Sequence, residues 1–504
     1  MLKKLSNGFN PCAKNRKIEN GKWKMENGKW KMENGEHTMN DQPNSQLSTV
    51  NSPLIPPGYK LTEVGVIPGD WDIIKCKDLC EKIQDGTHFS PKLGGNDYLY
   101  ITSKNIRYGN IDLKNIERID TFQHKAIYKR CDVRYGDLLL TKDGANTGNA
   151  TLNNLQEEFS LLSSVAFLRF DSKKNDAHYF LQQILSKQGQ QQIKEAMSGN
   201  AITRLTLEKI NKLTFPVPNL PEQRAIAAAL SDVDELIAKL DQIIAKKRDI
   251  KQAAMQELLT GKTRLPMRME NGELKMDNAG NPVRFSGDWE VKRLGDLFAF
   301  SGGFTASRDQ LSESGYCYLH YGDIHKSGKS YIDIDAEYIN IPKLAIELNR
   351  INSSALLKDG DVVFVDASED EEGTSKHIVV INPNNRPYIS GLHTIVAKCK
   401  TDDLNNEFKR FCFQTRNIKE QFRFFAAGTK VSGISKTNIA KIELYFPSKP
   451  EQTAIAAVLS DTDAEIAAFE ARREKTKLIK QGMMQELLTG RIRLIENGKL
   501  KREN

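Results

Sequence analysis

The chain has 504 residues, 27% of them charged, and a formal net charge of +8. That length holds two or three domains. No apolar run reaches a membrane span, and MLKKLSNGFN at the start lacks the apolar core of a signal peptide. The seven cysteines are odd in number, scattered and without a C-x2-C pair, which argues against a disulfide framework and for free thiols in a reducing cytoplasm. Half of the positive excess lies in residues 1–58, with 9 basic and 5 acidic groups, while residues 284–449 are neutral at 22 of each, so bulk charge does not mark a nucleic-acid surface.

Residues 1–58 are low in complexity. ENGKWKM occurs at 19–25 and 26–32 and is followed by a polar, Pro- and Ser-rich stretch, so this tail is expected to be mostly disordered, with Met39 a candidate functional start. Residues 59–220 form a first mixed body. GDLLLT (136–141) and SSVAFLRF (163–170) read as strands, and residues 178–197 as helical.

Residues 221–265 read as one long helix. Pro221 suits its first turn, Glu222 faces the positive end of the dipole, and Gly261 stands where a helix end turns left-handed. Ile226, Leu230, Val233, Ile237, Leu240 and Ile244 step 4-3-4-3-4, the spacing of a coiled-coil seam. Its span is about 39 residues, or roughly 58 Å. Residues 266–283 hold ENGELKM, an Asn-Gly hairpin signal, and read as a short arm or linker.

A second mixed body covers 284–449, with strands at GDVVFVD (360–366) and HIVVI (377–381) and a helical stretch at 406–425. Residues 450–494 then repeat 221–265 at an offset of 229 with 26 of 45 positions identical. Here Ile455, Leu459, Thr462, Ile466 and Phe469 step 4-3-4-3, and the other copy is the expected partner for this stripe. Residues 495–504 are a tail with another ENG phrase. The bodies share punctuation more than sequence. Gly69-Asp70-Trp71 and Gly287-Asp288-Trp289 open them, and Gly136-Asp137 and Gly360-Asp361 precede corresponding strands.

Taken together, GVIPGDW (65–71), IQDGTHFSPK (83–92), YITSKNI (100–106), GDLLLTKDGANTG (136–148), HYGDIH (320–325), GDVVFVDASEDEEGTSK (360–376) and the two PEQ-to-ELLTG helices resemble the specificity subunit of a type I restriction–modification enzyme over residues 59–504. The resemblance implies an α+β chain with two target-recognition domains in tandem. Each would be followed by a long helix, the two helices pairing as an antiparallel coiled coil with pseudo-two-fold symmetry. It implies that each domain reads half of a bipartite double-stranded DNA target. It also implies that the helices set the unread gap and dock two methyltransferase subunits, which restriction and translocase subunits join. S-adenosylmethionine, ATP and magnesium would then belong to the assembled complex and not to this chain.

Candidate DNA contacts follow residue by residue. Asp85, Gly86, Thr87, His88 and Ser90 make a polar loop able to bond base edges or phosphates, or a plain surface turn. Lys104 and Asn105 close a strand, with an amide suited to adenine and a cation suited to guanine. Lys142, Asp143, Gly144 and Asn146 follow a buried strand that would hold them still. In the second body, Tyr321, Asp323 and His325 take the place of YITSKNI, and Asp366, Ser368, Lys376 and His377 that of the KDGANTG loop, beside the acidic run Glu369–Glu372. Arg204 and Lys430, near the exits, are candidate phosphate contacts.

Catalytic signatures are missing. The stretch from Asp323 to Ser330 has Asp where a P-loop needs Gly and is followed by a strand-like pattern; INPNNRPY (381–388) is not an amino-methyltransferase motif; and no spaced Cys/His cluster stands out. On the residues alone, a coiled-coil scaffold that does not read DNA, and a catalytic methyltransferase or nuclease chain, stay open as alternatives.

Overall fold

The computed structural model describes residues 23–26, 29–32, 55–197, 204–269, 271–368, 375–426, 432–496 and 499–500. The chain divides into two units, Met1–Pro57 and Gly58–Asn504. In the first unit, Trp23–Glu26 pairs antiparallel with Lys29–Met32. Part of the tail expected to be disordered is thus a hairpin, and the reason is local: its strands flank the Asn-Gly of the repeated phrase. Lys430 and the run Glu369–Glu372 lie outside the described residues.

The second unit builds one frame twice. In the first half, Cys80–Asp85, Val165–Phe170, Leu138–Thr141 and Ala150–Leu152 lie side by side in that order, all antiparallel. In the second half, Phe298–Gly302, Thr394–Cys399, Val362–Val365 and His377–Ile381 repeat that order, and Tyr331–Asp333 is added at the edge. A smaller sheet accompanies each, built on a parallel pair: Phe159–Leu161 beside Tyr98–Ile101, and Tyr388–Ser390 beside Tyr316–Leu319.

The central strands read as unbroken apolar runs because both faces of their sheet are covered. Leu139 and Phe167 join one core with Leu99, Ile101 and Phe159, while Leu138, Leu140, Ala166 and Leu168 face a second core with Phe180 and Phe215. In the other half, Val363, Ile378 and Val396 point one way, and Val362, Phe364 and Ile395 the other.

Both helical stretches are broken. The first divides into Ala177–Leu185 and Lys187–Met197. Ser186 is extended there and accepts from the N–H of Gly189, whose α-carbon leaves no room for a side chain against the Gln183 carbonyl. The second divides into Asn406–Cys412 and Arg416–Phe425, with Thr415 accepting from the Ile418 N–H to start the new helix. Capping hydroxyls that compete with the backbone ladder end one helix and begin the next.

The two long helices span Leu220–Leu258 and Lys449–Leu487, 39 residues each. Gly261 and Gly490, just past their ends, have φ of +70° and +69° and pack against Trp289 and Trp71. Ion pairs tie one helix to the other: Asp234 with Lys480 at 2.8 Å, Asp241 with Arg473 at 2.9 Å, Lys247 with Glu465 at 2.5 Å and Lys251 with Asp463 at 2.5 Å. Partner numbers fall as the first helix's numbers rise, so the helices run in opposite directions. Among the described residues, no helix is long and apolar enough to cross a membrane.

The apolar stripe is divided between two tasks. Ile226 and Leu230 sit in the first half's core together with Met484, Leu487 and Leu488 from the end of the second helix. Ile455 and Leu459 sit in the second half's core together with Met255, Leu258 and Leu259 from the end of the first helix. Between these ends, Val233, Leu240, Ile244 and Ile466 are buried, and Ile237, Thr462 and Phe469 are half-buried. Reading the whole stripe as an interhelical seam therefore needs correction, because its outer turns close the globular cores as well.

The repeated Pro-Glu-Gln explains itself in the same place. Glu222 is wholly buried, and Arg493, beyond the end of the second helix, grips it through Nε at 2.5 Å and Nη2 at 2.6 Å while also holding Asp70 at 2.9 Å. Arg264 grips Glu451 the same way, with both bonds at 2.6 Å. Each glutamine bonds its own half: Gln223 accepts from the Asp176 N–H and Gln452 from the Asn405 N–H. Glu222 also accepts from the Trp71 indole at 3.3 Å. Replacing Arg493 by Ala strands a buried carboxylate and is expected to destabilise the protein by about 3–5 kcal/mol, whereas Lys477→Ala, at an exposed pair with Glu474, should cost under about 1 kcal/mol. Urea unfolding of the two variants checks this; equal midpoints would contradict it.

Around both junctions, 266–284 forms a small ladder, with Pro266 bridged to Arg284, Arg268 to Leu274 and Met276 to Pro282. After the second helix, Ile495–Glu496 pairs with Lys499–Leu500.

Candidate functional site

In each half, four turns meet where the central sheet and the small parallel pair end together. In the first half, the Thr87 N–H donates to the Leu161 carbonyl at 2.8 Å, Leu162 to Ile101 at 2.9 Å, Lys142 to Ser164 at 2.9 Å and Leu205 to Lys142 at 3.0 Å. In the second half, Phe304 donates to Ser390 at 2.7 Å, Gly391 to Leu319 at 2.9 Å, Asp366 to His393 at 3.2 Å and Ile434 to Asp366 at 2.8 Å. These are the same four connections. Gly86 and Gly303 permit the closest approach, because a β-carbon would fall 2.0 Å from the Leu161 oxygen and 1.8 Å from the Gly391 oxygen.

The side chains on this shared frame differ. In the first half, Asp85 is buried, and its carboxylate lies 3.2 Å from His88, 3.4 Å from Lys142 and 3.6 Å from Arg130. Lys142 also lies 3.5 Å from Asp143, which accepts from Arg204 Nε at 2.7 Å. A cleft of about 380 Å³ opens beside this network, lined by Gly86, Thr87, His88, Phe89, Arg130 and Cys131 among others. Its wall combines a guanidinium, an imidazole and a phenyl ring, and the first two lie beside the buried Asp85 carboxylate.

Several candidates turn out to serve the frame. Asp85, Thr87, Asn105 and Lys142 are all under 9% exposed. Asn105 accepts from the Thr102 N–H and donates to the Asp112 carbonyl, so its amide is occupied within the fold. Thr87 accepts from the Phe89 N–H. Gly86 is fixed by its steric contact, and Asn146, half-buried, donates to the Ser103 carbonyl. Reading Asp85, Asn105 and Lys142 as direct base contacts is therefore corrected: burial and internal partners take up their polar groups. His88, Ser90, Lys104, Gly144 and Arg204 are exposed, and Asp143 is half-buried. Sequence reading missed Arg130, with a side chain 60% exposed, and Phe89. The basic pair Lys129-Arg130 just past the short helix Thr121–Tyr128 was the available signal for Arg130.

In the second half, Tyr321 is surrounded by imidazoles. Its ring centroid lies 4.6 Å from that of His320, 5.4 Å from His393 and 6.1 Å from His325. Asp323 lies 3.8 Å from Arg308, Asp366 lies 3.3 Å from His393, and Lys376 donates to the His325 carbonyl at 3.3 Å. Burial, then the Arg308 charge, lowers the pKa of His320. Ser368 is buried on a two-residue strand paired with Ser432–Gly433, and His377 is buried between Phe364 and Phe413. The expectation that these two touch DNA is corrected, since the first belongs to a covered strand and the second to the core. Arg308 and His393 were missed because both lie outside the loops singled out, and His320 was passed over although it opens the HYGDIH phrase beside Tyr321. Among the described residues, no group of three or more His, Cys, Asp or Glu could hold a metal ion.

The family model described as the type I restriction modification DNA specificity domain matches residues 68–246 and again 286–478. The type I restriction enzyme MjaX and MjaVIII specificity subunits of Methanocaldococcus jannaschii are 24% and 25% identical to this chain, over 86% and 85% of it and 97% and 94% of their own lengths. The crystal structure of the type I restriction–modification S subunit from M. genitalium matches 83% of this chain and 96% of its own, with a TM-score of 0.46 and 14% identity.

Burial pushes the pKa of His377 from 6.5 down to about 4. The ring is then neutral in the folded chain, while the unfolded chain takes up a proton below pH 6.5. Stability is full above pH 6.5 and falls between pH 6.5 and 4, by about 3 kcal/mol in all. His377→Phe should flatten this part of the acid slope when melting temperature is followed from pH 7 to pH 4. An unchanged slope would contradict the core assignment.

Proposed function

The chain belongs to the type I restriction modification DNA specificity family, and from that premise we propose that it reads a split double-stranded DNA target, one half with each domain, and directs partner subunits to methylate and cut. It is the specificity subunit and performs no catalysis itself. The observation that carries the split-target reading is the pair of four-turn frames, with identical backbone connections and different side chains at the tips. A rigid frame with exchangeable tips is what two readers of two different half-sites require.

The first reader, 59–220, would present His88, Ser90, Lys104, Asp143, Gly144, Asn146 and Arg204, with Arg130 and Phe89 beside them. The second, 284–449, would present Tyr321, Asp323, His325, Asp366 and Lys376, with Lys430 toward phosphate. Asp85, Gly86, Thr87, Asn105, Lys142, Ser368 and His377 hold these tips in place. Cations would supply affinity through phosphate, and the polar tips would supply sequence preference.

The long helices act as an antiparallel coiled coil with pseudo-two-fold symmetry. Support comes from pairs that map onto each other at the 229-residue offset, Asp234 with Lys480 onto Lys251 with Asp463, and Arg264 with Glu451 onto Arg493 with Glu222. The pair of helices (221–265 and 450–494), joined through the arm at 266–283, spaces the readers and carries two methyltransferase subunits, to which restriction and translocase subunits add. S-adenosylmethionine, ATP and magnesium serve those partners, and the complex works in the cytoplasm on the host genome.

Mapping methylated bases in cells with and without this gene tests the reading. Deletion should erase a split motif with a fixed unread gap; a methylation pattern that does not change would contradict it. Inserting one heptad into both helices adds about 10 Å, the rise of roughly three base pairs. The gap should lengthen while both half-sites keep their sequence, and an altered half-site would rule out the helices as a ruler.

A further inference from the structure

His393 stands between the strands Tyr388–Ser390 and Thr394–Cys399, at φ +59°. Few side chains adopt that left-handed conformation, and it is costly for a residue other than glycine. The other non-glycine residues with positive φ among those described are Asn115 and Asn385, the type that tolerates it best. A position that Gly or Asn would fill at lower cost therefore carries an imidazole. In the first half the same place, 229 positions earlier, is held by Ser164, which is buried and accepts from the Ser103 N–H at 3.1 Å. His393 instead has a side chain 49% exposed.

Its surroundings orient the ring on two sides. Nδ1 lies 3.3 Å from Asp366 Oδ1, and the ring meets Tyr321 edge-on, at 80° between planes. The Asp366 N–H also donates to the His393 carbonyl, so carboxylate and imidazole are tied through backbone as well. Asp366 Oδ1, buried and without a hydrogen-bond partner, is the acceptor nearest Nδ1, and a carboxylate placed there favours the tautomer that carries its proton on Nδ1 and keeps Nε2 an acceptor. Among the described residues, Nε2 has no partner.

We propose that His393 is a base-reading residue of the second domain, its Nε2 accepting from the exocyclic amino group of an adenine or cytosine in the major groove while Asp366 and Tyr321 hold the ring. In that groove adenine and cytosine offer an amino donor where thymine and guanine offer an oxygen acceptor. A reader of this kind rejects the reversed base pair at one position. The proposal rests on the DNA-reading function above.

The test compares methylomes of cells carrying the complete complex with wild-type chain, His393→Gly or His393→Asn. Both replacements fit the left-handed backbone, so the fold is retained, and the melting temperature of His393→Gly should equal or exceed that of the wild type. At one position of one half-site, the reversed base pair should become methylated about tenfold more often, and the other half-site should not change. An unchanged motif in a folded variant overturns the proposal. So does a relaxation spread over both half-sites, or a uniform loss of methylation with the motif intact, either of which would assign His393 to phosphate contact or to the backbone alone. A wild-type chain that directs no split motif would defeat the broader DNA-reading function instead, before any variant is compared.

Discussion

Everything in this molecule depends on a reciprocal closure. Each globular core is sealed by the first turns of one long helix and the last turns of the other. Ile226 and Leu230 meet Met484, Leu487 and Leu488 in one core; Ile455 and Leu459 meet Met255, Leu258 and Leu259 in the other. The Arg–Glu clamps sit over these joints. Their value is asymmetric: desolvation offsets much of the attraction while the pair is whole, but a lone buried carboxylate is costly. The clamps therefore penalise any register of the helices that separates Arg493 from Glu222 or Arg264 from Glu451.

That closure explains how a chain with two readers can measure a distance. A helix anchored in a core at each end cannot slide, and 39 residues in an α-helix have a fixed length of about 58 Å. The ion pairs between the helices are partly exposed and add little stability each. They favour one antiparallel register more than they bind. Specificity can then vary at the turn clusters without disturbing the spacing, because the frame holding each cluster is made of backbone bonds and of glycines that admit no side chain.

Much of this was legible in the sequence, and the physical reasons differ by region. The helices were plain because Pro, the acidic first turn, the 4-3 stripe and the terminal Gly agree with one another. Central strands such as LLLT and HIVVI were plain because sheets covered on both faces are apolar without alternation. The helix breaks at Ser186 and Thr415 were not visible, since a capping hydroxyl reads as an ordinary polar residue in an amphipathic pattern. Within the site, polarity flagged the correct loops but could not separate Lys142 and Asn105, which face inward, from His88 and Lys104, which face outward. His393, Arg130 and Arg308 enter the clusters from distant parts of the chain. Their place follows from strand pairing, which no local spacing encodes.

Reciprocal closure makes an unusual demand on where a local defect is felt. Amide hydrogen exchange of Leu487→Ala, a cavity near the C-terminal end of the second helix, tests it most directly. The account predicts faster exchange in Leu138–Thr141 of the first half, whose core Leu487 completes, and unchanged exchange in Val362–Val365 of the second half, its neighbour in sequence. Loss of protection confined to Val362–Val365 would contradict it.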